Sequence, residues 1–316
     1  MNTSNLTASN ALGILRERAL RGINQKYVGQ LKDLALLRIE EELAIIDKQG
    51  SAFEYNIVSG ILNAVSVSPD EFIMCGTMAS SLISYAIGFS NIEPLDSTPK
   101  LYPEFFFGIN GEILPDFEIH VKSSVYPRIL QYIDDHKDEL NVMAIKKYET
   151  LTKVGWGKWS EDNNCNDPSS GTFYIFIGKR GEDQRVRDAL LSGQVIDVCK
   201  PKDFAEYVKC HGLEHSAGTW AGNAEFLFKE GKVPLNDIIA YREDVYELLI
   251  DYGVEKPMAY SIAQYVRKGK VNAHGWRSEM WEALYATKVP DWFISSCEKI
   301  RYLLPRTHAM QLYSML

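Results

Sequence analysis

Three patterns in the sequence predict a helix-rich α+β protein. Residues 113–121 alternate with a period of two, which puts Asp116, Glu118 and His120 on one face and Phe117, Ile119 and Val121 on the other. Residues 172–177, Thr-Phe-Tyr-Ile-Phe-Ile, make a second apolar run dense in strand-forming residues. Over residues 11–49, and again after Lys200, apolar residues recur at helical spacing in segments separated by glycine or proline.

In order, the first helical stretch carries Leu12, Leu15 and Leu20. The second presents Leu31, Leu34, Leu37, Ile39, Leu43 and Ile46 as its apolar side and ends at Gly50, a C-cap signal. Phe53 to Val67 is a third apolar segment, closed by Ser68-Pro69-Asp70. The small-residue run Gly76 to Ser81 leads into an apolar helix, Leu82 to Phe89, and 94–103 reads as a loop. Tyr126 to Asp134 reads as a helix. From Thr152 the texture becomes that of a loop, with 161–171 rich in Asn, Asp, Ser and Pro, and Gly178 to Gly181 reads as the turn after the second strand. Helical segments near 202–210, 221–229, 242–252, 256–268, 275–286 and 290–304 follow. The expected division is an α+β domain over 1–199, shortened within 140–199, and a helical domain over 200–316.

The chain has 316 residues, 46% hydrophobic and 24% charged, enough for two domains with real cores. Its net charge of -8 argues against a generic nucleic-acid coat but leaves room for a local basic groove. The five cysteines (Cys75, Cys165, Cys199, Cys210, Cys297) have no C-x-x-C spacing, so neither a zinc module nor a disulfide framework is expected, and a reducing compartment fits. Met1 to Ala11 is polar, unlike a signal peptide, and no apolar run is long enough to span a membrane; a cytoplasmic protein is expected.

Three groups could carry chemistry. Carboxylates two residues apart on a strand sit roughly 6.5–7 Å apart on one face. Asp116 and Glu118 could therefore flank metal ions for phosphoryl transfer, or simply mark the wet face of an edge strand. Gly76, Thr77, Ser80 and Ser81 precede a helix, where free backbone amides bind phosphate, although plain helix initiation reads as well. Arg267, Lys268 and Lys270 close one helix, and Lys299, Arg301 and Arg306 follow; solvated capping is the competing reading.

Several segments, in order, resemble the palm and fingers of C-family bacterial DNA polymerase III alpha subunits, the PolC type above all. They are Gly212-Leu213-Glu214-His215 with Gly218-Thr219-Trp220-Ala221-Gly222-Asn223-Ala224; Arg242-Glu243-Asp244; Val266-Arg267-Lys268-Gly269-Lys270; and Val289-Pro290-Asp291-Trp292 through Pro305-Arg306-Thr307-His308-Ala309. Arg38 to Leu43 resembles the helix leading into the palm. Ile92-Glu93-Pro94-Leu95 and Glu104-Phe105-Phe106 resemble the approach to its catalytic strand. The resemblance implies a small palm-like mixed sheet of the nucleotidyltransferase (β-polymerase-like) class, followed by a helical fingers-like region. It implies Asp116 and Glu118 as catalytic, Mg2+-binding carboxylates and Gly76, Thr77, Ser80 and Ser81 as a triphosphate loop. It further implies Arg306 and His308 near nucleotide phosphate and Arg267, Lys268 and Lys270 near DNA. Primer–template DNA, deoxynucleotides and replisome proteins are the implied partners.

The departures are chemical. Glu118 stands where the family has aspartate, and Ile73, Cys75 and Ala79 stand where it has glycine, arginine and glycine. No strand matches the one supplying the third aspartate; Asp197, in Val195-Ile196-Asp197-Val198, is the one nearby strand-like candidate, and the resemblance aligns it elsewhere. Two expectations follow: a polymerase with impaired nucleotidyl transfer, or a non-catalytic relative that binds DNA or a replisome component. A fragment of a longer polymerase is a further one, because Tyr313 to Leu316 interrupts what the family continues as a helix.

Overall fold

Helix α1 (Ala8–Lys26) packs against α2 (Gly29–Gln49) and α3 (Ala52–Ala64) in the first of two compact units. The computed structural model describes residues 6–149, 151–157, 173–180 and 193–313, and the chain divides at Val186/Arg187. The polar stretch 161–171, together with Cys165, Thr172, Gly181 and the last three residues, lies outside the described residues.

Helix α2 ends as its sequence predicts, with Gly50 in the left-handed region at φ 69° and its amide on the carbonyls of Asp47 and Ile46. Its buried side differs from the expected one. Ala35, Ile39, Glu42, Leu43 and Ile46 face inward, while Leu34 and Leu37 are exposed. A stripe through 35, 39, 42, 43 and 46 follows the i, i+4, i+7 rule, and 34 and 37 lie off it. The buried member that hydrophobicity could not indicate is Glu42.

Among the described residues the sheet has five strands in the order β1-β2-β5-β4-β3: β1 (Phe72–Met74), β2 (Phe117–Lys122), β3 (Ala144–Lys147), β4 (Leu151–Trp156) and β5 (Phe173–Arg180). Only β2 and β5 run parallel; the other pairs are antiparallel, so the sheet is small and mixed. Strand β2 is internal, between β1 and β5, which removes the edge-strand reading. It starts at Phe117, later than expected, so Asp116 stands just before it. Residues 178–180 continue β5 instead of turning, and 152–156 form β4 instead of a loop. Gly155 and Gly157 disguised that strand, but Val154 and Trp156 are buried, and Trp156 stacks on Phe173 at 4.3 Å.

Alternation in β2 is as read. Phe117, Ile119 and Val121 are buried and Glu118, His120 and Lys122 half-exposed. The Phe117 ring sits edge-on to Tyr55 of α3 at 5.1 Å and to Phe89 at 6.3 Å. Such pairs add about 0.5–1.5 kcal/mol each beyond burial, which fixes the face of β2 turned toward the helices. Helices α4 (Leu82–Ala86), α5 (Glu104–Phe107) and α6 (Tyr126–Asp135) complete this unit.

The second unit is helical among the described residues: α7 (Gly193–Cys199), α8 (Phe204–His215), α9 (Glu225–Lys229), α10 (Arg242–Asp251), α11 (Lys256–Arg267), α12 (Lys270–His274), α13 (Ser278–Ala286), α14 (Asp291–Lys299) and α15 (Arg306–Tyr313). An isolated bridge joins Ala217 and Tyr302. Asp197 lies in α7, exposed, so its segment is a helix and not the strand its β-branched neighbours indicated. The two units together form a helix-rich α+β protein.

Candidate functional site

In the first unit, strand pairing assembles the site. Strand β1 runs antiparallel to β2 with Met74 opposite Ile119 and Ile73 opposite His120. The ladder continues one step beyond β1, where the Cys75 amide donates to the Glu118 carbonyl at 2.8 Å. Cys75 therefore comes beside Glu118, and Gly76 (φ 73°) turns the chain away. Cys75, Gly76, Thr77, Phe106, Asp116 and Glu118 line a cavity of about 150 Å³. Asp116 is exposed as a residue, yet its carboxyl meets the cavity wall. Loss of water there, and then the Glu118 charge, raises its pKa above the usual carboxylate value.

Glu118 is not free to serve Asp116 alone. Its Oε1 lies 2.7 Å from His120 Nε2. Oxygen, nitrogen and sulfur atoms of Glu118, His120 and Cys75 all fall within 4.8 Å of one another. Mg2+ demands oxygen donors in a near-octahedral shell. A strand carboxylate facing an imidazole and a thiol does not fit a pair of Mg2+ ions.

The other half of the expected phosphate loop is filled from within. Ser80 and Ser81 are buried, and Ser81 caps α4 by accepting from the Ser84 amide at 3.2 Å. Its hydroxyl donates to Glu42 Oε2 at 2.7 Å, and the amides of Leu82 and Ile83 donate to the two Glu42 oxygens at 3.0 Å each. Arg38 Nε completes the shell at 2.8 Å. An amide cradle at a helix start attracts an anion, and here the anion is a side chain of α2. Gly76 and Thr77 reach the cavity; Ser80 and Ser81 do not line it.

In the second unit, Arg306 is 2% exposed. Its Nη1 and Nη2 donate to the Glu247 carboxylate at 2.7 Å each, and Nη2 also reaches Asp244 Oδ1 at 2.6 Å. Lys209 Nζ meets the same Asp244 oxygen at 2.6 Å, and the Ala240 and Tyr241 amides donate to the other at 2.8 Å. Burial alone would raise the Asp244 carboxyl; Lys209 and Arg306 outweigh it and hold it below the usual range. His308 is half-buried on the same helix, α15.

Lys268 is exposed and Arg267 and Lys270 are half-buried at the junction of α11 and α12, while Lys299 and Arg301 are exposed at and just beyond the end of α14. Gly269 takes φ 64° and lies so close to the next segment that a Cβ would sit 2.2 Å from the Arg301 carbonyl oxygen. The Leu303 amide also donates to the Arg267 carbonyl at 3.1 Å. The Arg267 guanidinium stands 5.7 Å from the Tyr302 ring centre. Exposed Glu298 accepts from the Trp276 indole at 3.2 Å.

Sequence reasoning noted His120 on the face of the two carboxylates and Cys75 as a departure, but joined neither to a site. Placing Cys75 opposite Glu118 needs the β1–β2 register, a pairing 43 residues apart that periodicity does not carry. Glu42 gave one usable signal, an acid on the buried stripe of an amphipathic helix.

The first unit holds a mixed sheet with Glu118 on its internal strand and Asp116 just before it, and the second unit is helical among its described residues. Residues 13–155 match the family described as the bacterial DNA polymerase III alpha NTPase domain. The chain is similar in part to PolC-type DNA polymerases. It is 44% identical over 116 residues to the PolC-type DNA polymerase III of Listeria welshimeri, and 39% identical over 116 residues to that of Staphylococcus saprophyticus. Each alignment covers 37% of this chain and 8% of the relative. Over 115 residues the Lacticaseibacillus paracasei PolC-type polymerase is 40% identical, covering 36% of this chain and 8% of its own length. The chain thus matches a small part of the length of these curated relatives. No helix among the described residues is long and apolar enough to cross a membrane.

Proposed function

We propose that this chain is a PolC-related protein of DNA replication that binds DNA and lacks self-sufficient nucleotidyl transfer. In this reading residues 1–199 are palm-like and residues 200–316 fingers-like. What supports it is the direction in which the anion-binding groups point. The amide cradle before α4 holds Glu42, and Arg306 holds Asp244 and Glu247, so neither is offered to a triphosphate. Lys268, Lys299 and Arg301 remain at the surface beside Arg267 and Lys270. Surface cations bind a phosphate backbone through counterion release, independent of sequence.

Titrating a fluorescent primer–template duplex at increasing salt tests the binding half. The expected result is affinity that falls steeply with salt; absence of binding at low salt would turn the reading toward a replisome protein partner. A Mg2+-dependent polymerase is the competing reading, favoured by Asp116 and Glu118 sharing one cavity with Gly76 and Thr77.

A further inference from the structure

We infer that Cys75, Glu118 and His120 form a binding site for a thiophilic transition-metal ion, with Zn2+ as its cargo. The inference goes beyond the DNA-binding reading and does not depend on it, since it stands on the first unit's geometry alone.

Strand pairing places the donors. Residues opposite one another in an antiparallel ladder share a face, and residues two apart on one strand share it too. Cys75 stands opposite Glu118, and His120 is two residues further along β2, so all three side chains leave the same side of the sheet. Their sulfur, oxygen and nitrogen atoms lie within 4.8 Å of one another, so small rotations of three partly exposed side chains bring them onto one ion.

The neighbouring strand seats the imidazole. His120 pairs with Gly178 of β5, and a Cβ built at Gly178 would lie 2.5 Å from His120 Cδ2 and 2.8 Å from Nε2. Any larger residue would push the ring out of the position in which Nε2 faces Glu118. The backbone at Gly178 does not need glycine for its conformation, so the space it leaves is what the histidine uses.

The donor chemistry selects the metal. Thiolate and imidazole favour Zn2+, whereas Mg2+ is held by oxygen alone. Three protein ligands leave a tetrahedral ion one open position, which the adjoining cavity can fill with water. On binding, the Cys75 thiol gives its proton to solvent, the imidazole binds through Nε2 as the tautomer that keeps its proton on Nδ1, and the His120–Glu118 hydrogen bond is exchanged for two metal bonds.

Cobalt(II) titration of the full chain, freed of metal by chelator, tests this. The expected result is one equivalent bound, with thiolate-to-cobalt absorption in the near ultraviolet and the visible bands of a tetrahedral ion. One equivalent of Zn2+ should displace it and a large excess of Mg2+ should not. Cys75→Ser should erase the near-ultraviolet band, and His120→Ala should weaken Zn2+ binding by more than about tenfold, the scale for losing groups that support a metal. Circular dichroism of each variant checks that it is folded; should either fail, X-ray absorption of the Zn2+-loaded native chain, with a sulfur at about 2.3 Å, decides the matter. A cobalt band that survives Cys75→Ser, as one arising at buried Cys199 and Cys210 would, overturns the inference, and so does displacement by Mg2+. Because DNA affinity is measured separately, loss of this site and loss of the DNA-binding reading give different results.

Discussion

The Ser81 hydroxyl donates to the Glu42 carboxylate at 2.7 Å, across a junction where α2 supplies the anion that the start of α4 requires. Glu42 is 1% exposed and accepts four donors in all. A buried N–H left without an acceptor costs about 1–3 kcal/mol.

Glu42→Gln should therefore destabilise the first unit by about 2–3 kcal/mol, because one oxygen is replaced by an NH2 that faces amide donors. A urea melt should show a lower midpoint with an unchanged slope. An unchanged midpoint would mean that the cradle is satisfied some other way.

Glu54 supplies a pH dependence. It is buried on α3, and burial raises its pKa to about 7, opposed by its own backbone amide. The folded state therefore holds a proton that the unfolded state releases near pH 4.5. Stability contributed by this group is full below that value and is lost as pH rises toward 7. Glu54→Gln should flatten the fall in melting temperature between pH 5 and 7 and leave the variant more stable at pH 8, by up to about 3 kcal/mol on the scale of the shift. Equal pH profiles for the two proteins would count against the buried, raised carboxyl.

Arg306 is predicted to act in folding. Removing one partner from a buried ion cluster costs about 3–5 kcal/mol, since Asp244 would stay buried, and Glu247 half-buried, with less compensation. Arg306→Met should lower the unfolding free energy of the second unit by that amount in denaturant titration. A nucleotide-phosphate role would give the opposite pattern, with stability kept and nucleotide affinity reduced.

For the basic strip, neutralising Arg267, Lys268 and Lys270 together to glutamine should weaken duplex binding. It should also reduce the slope of log affinity against log salt by roughly 2–3, since each phosphate contact contributes about 0.9. Gly269 stays in place in that variant, because its close approach to Arg301 fixes the segment. An unaltered slope would move the DNA contact elsewhere.

How far the sequence could be read depends on the reach of each interaction. Period-two alternation is local, and it placed Glu118 and His120 opposite Ile119 correctly. Helical periodicity with glycine and proline breaks likewise located α10, α11 and α13, but the run read over 290–304 stops at Lys299, and α12 and α15 fall outside the segments it marked. Strand β4 was hidden because Gly155 within it and Gly157 just after it disguise its pattern, and pairing with β5 and β3 gives it order. The role of Arg306 was illegible for a related reason: its acids stand about sixty residues away on α10, and an arginine looks the same in sequence whether it awaits a phosphate or already holds a carboxylate. The same holds for Ser81, whose partner lies 39 residues upstream.

Primer extension on a defined template, with Mg2+ and separately with Mn2+, tests the central claim most directly. The protein should bind the duplex in a salt-sensitive manner and incorporate no nucleotide with either metal. Template-directed incorporation that disappears in Asp116→Ala would contradict it and make Asp116 and Glu118 a working polymerase site.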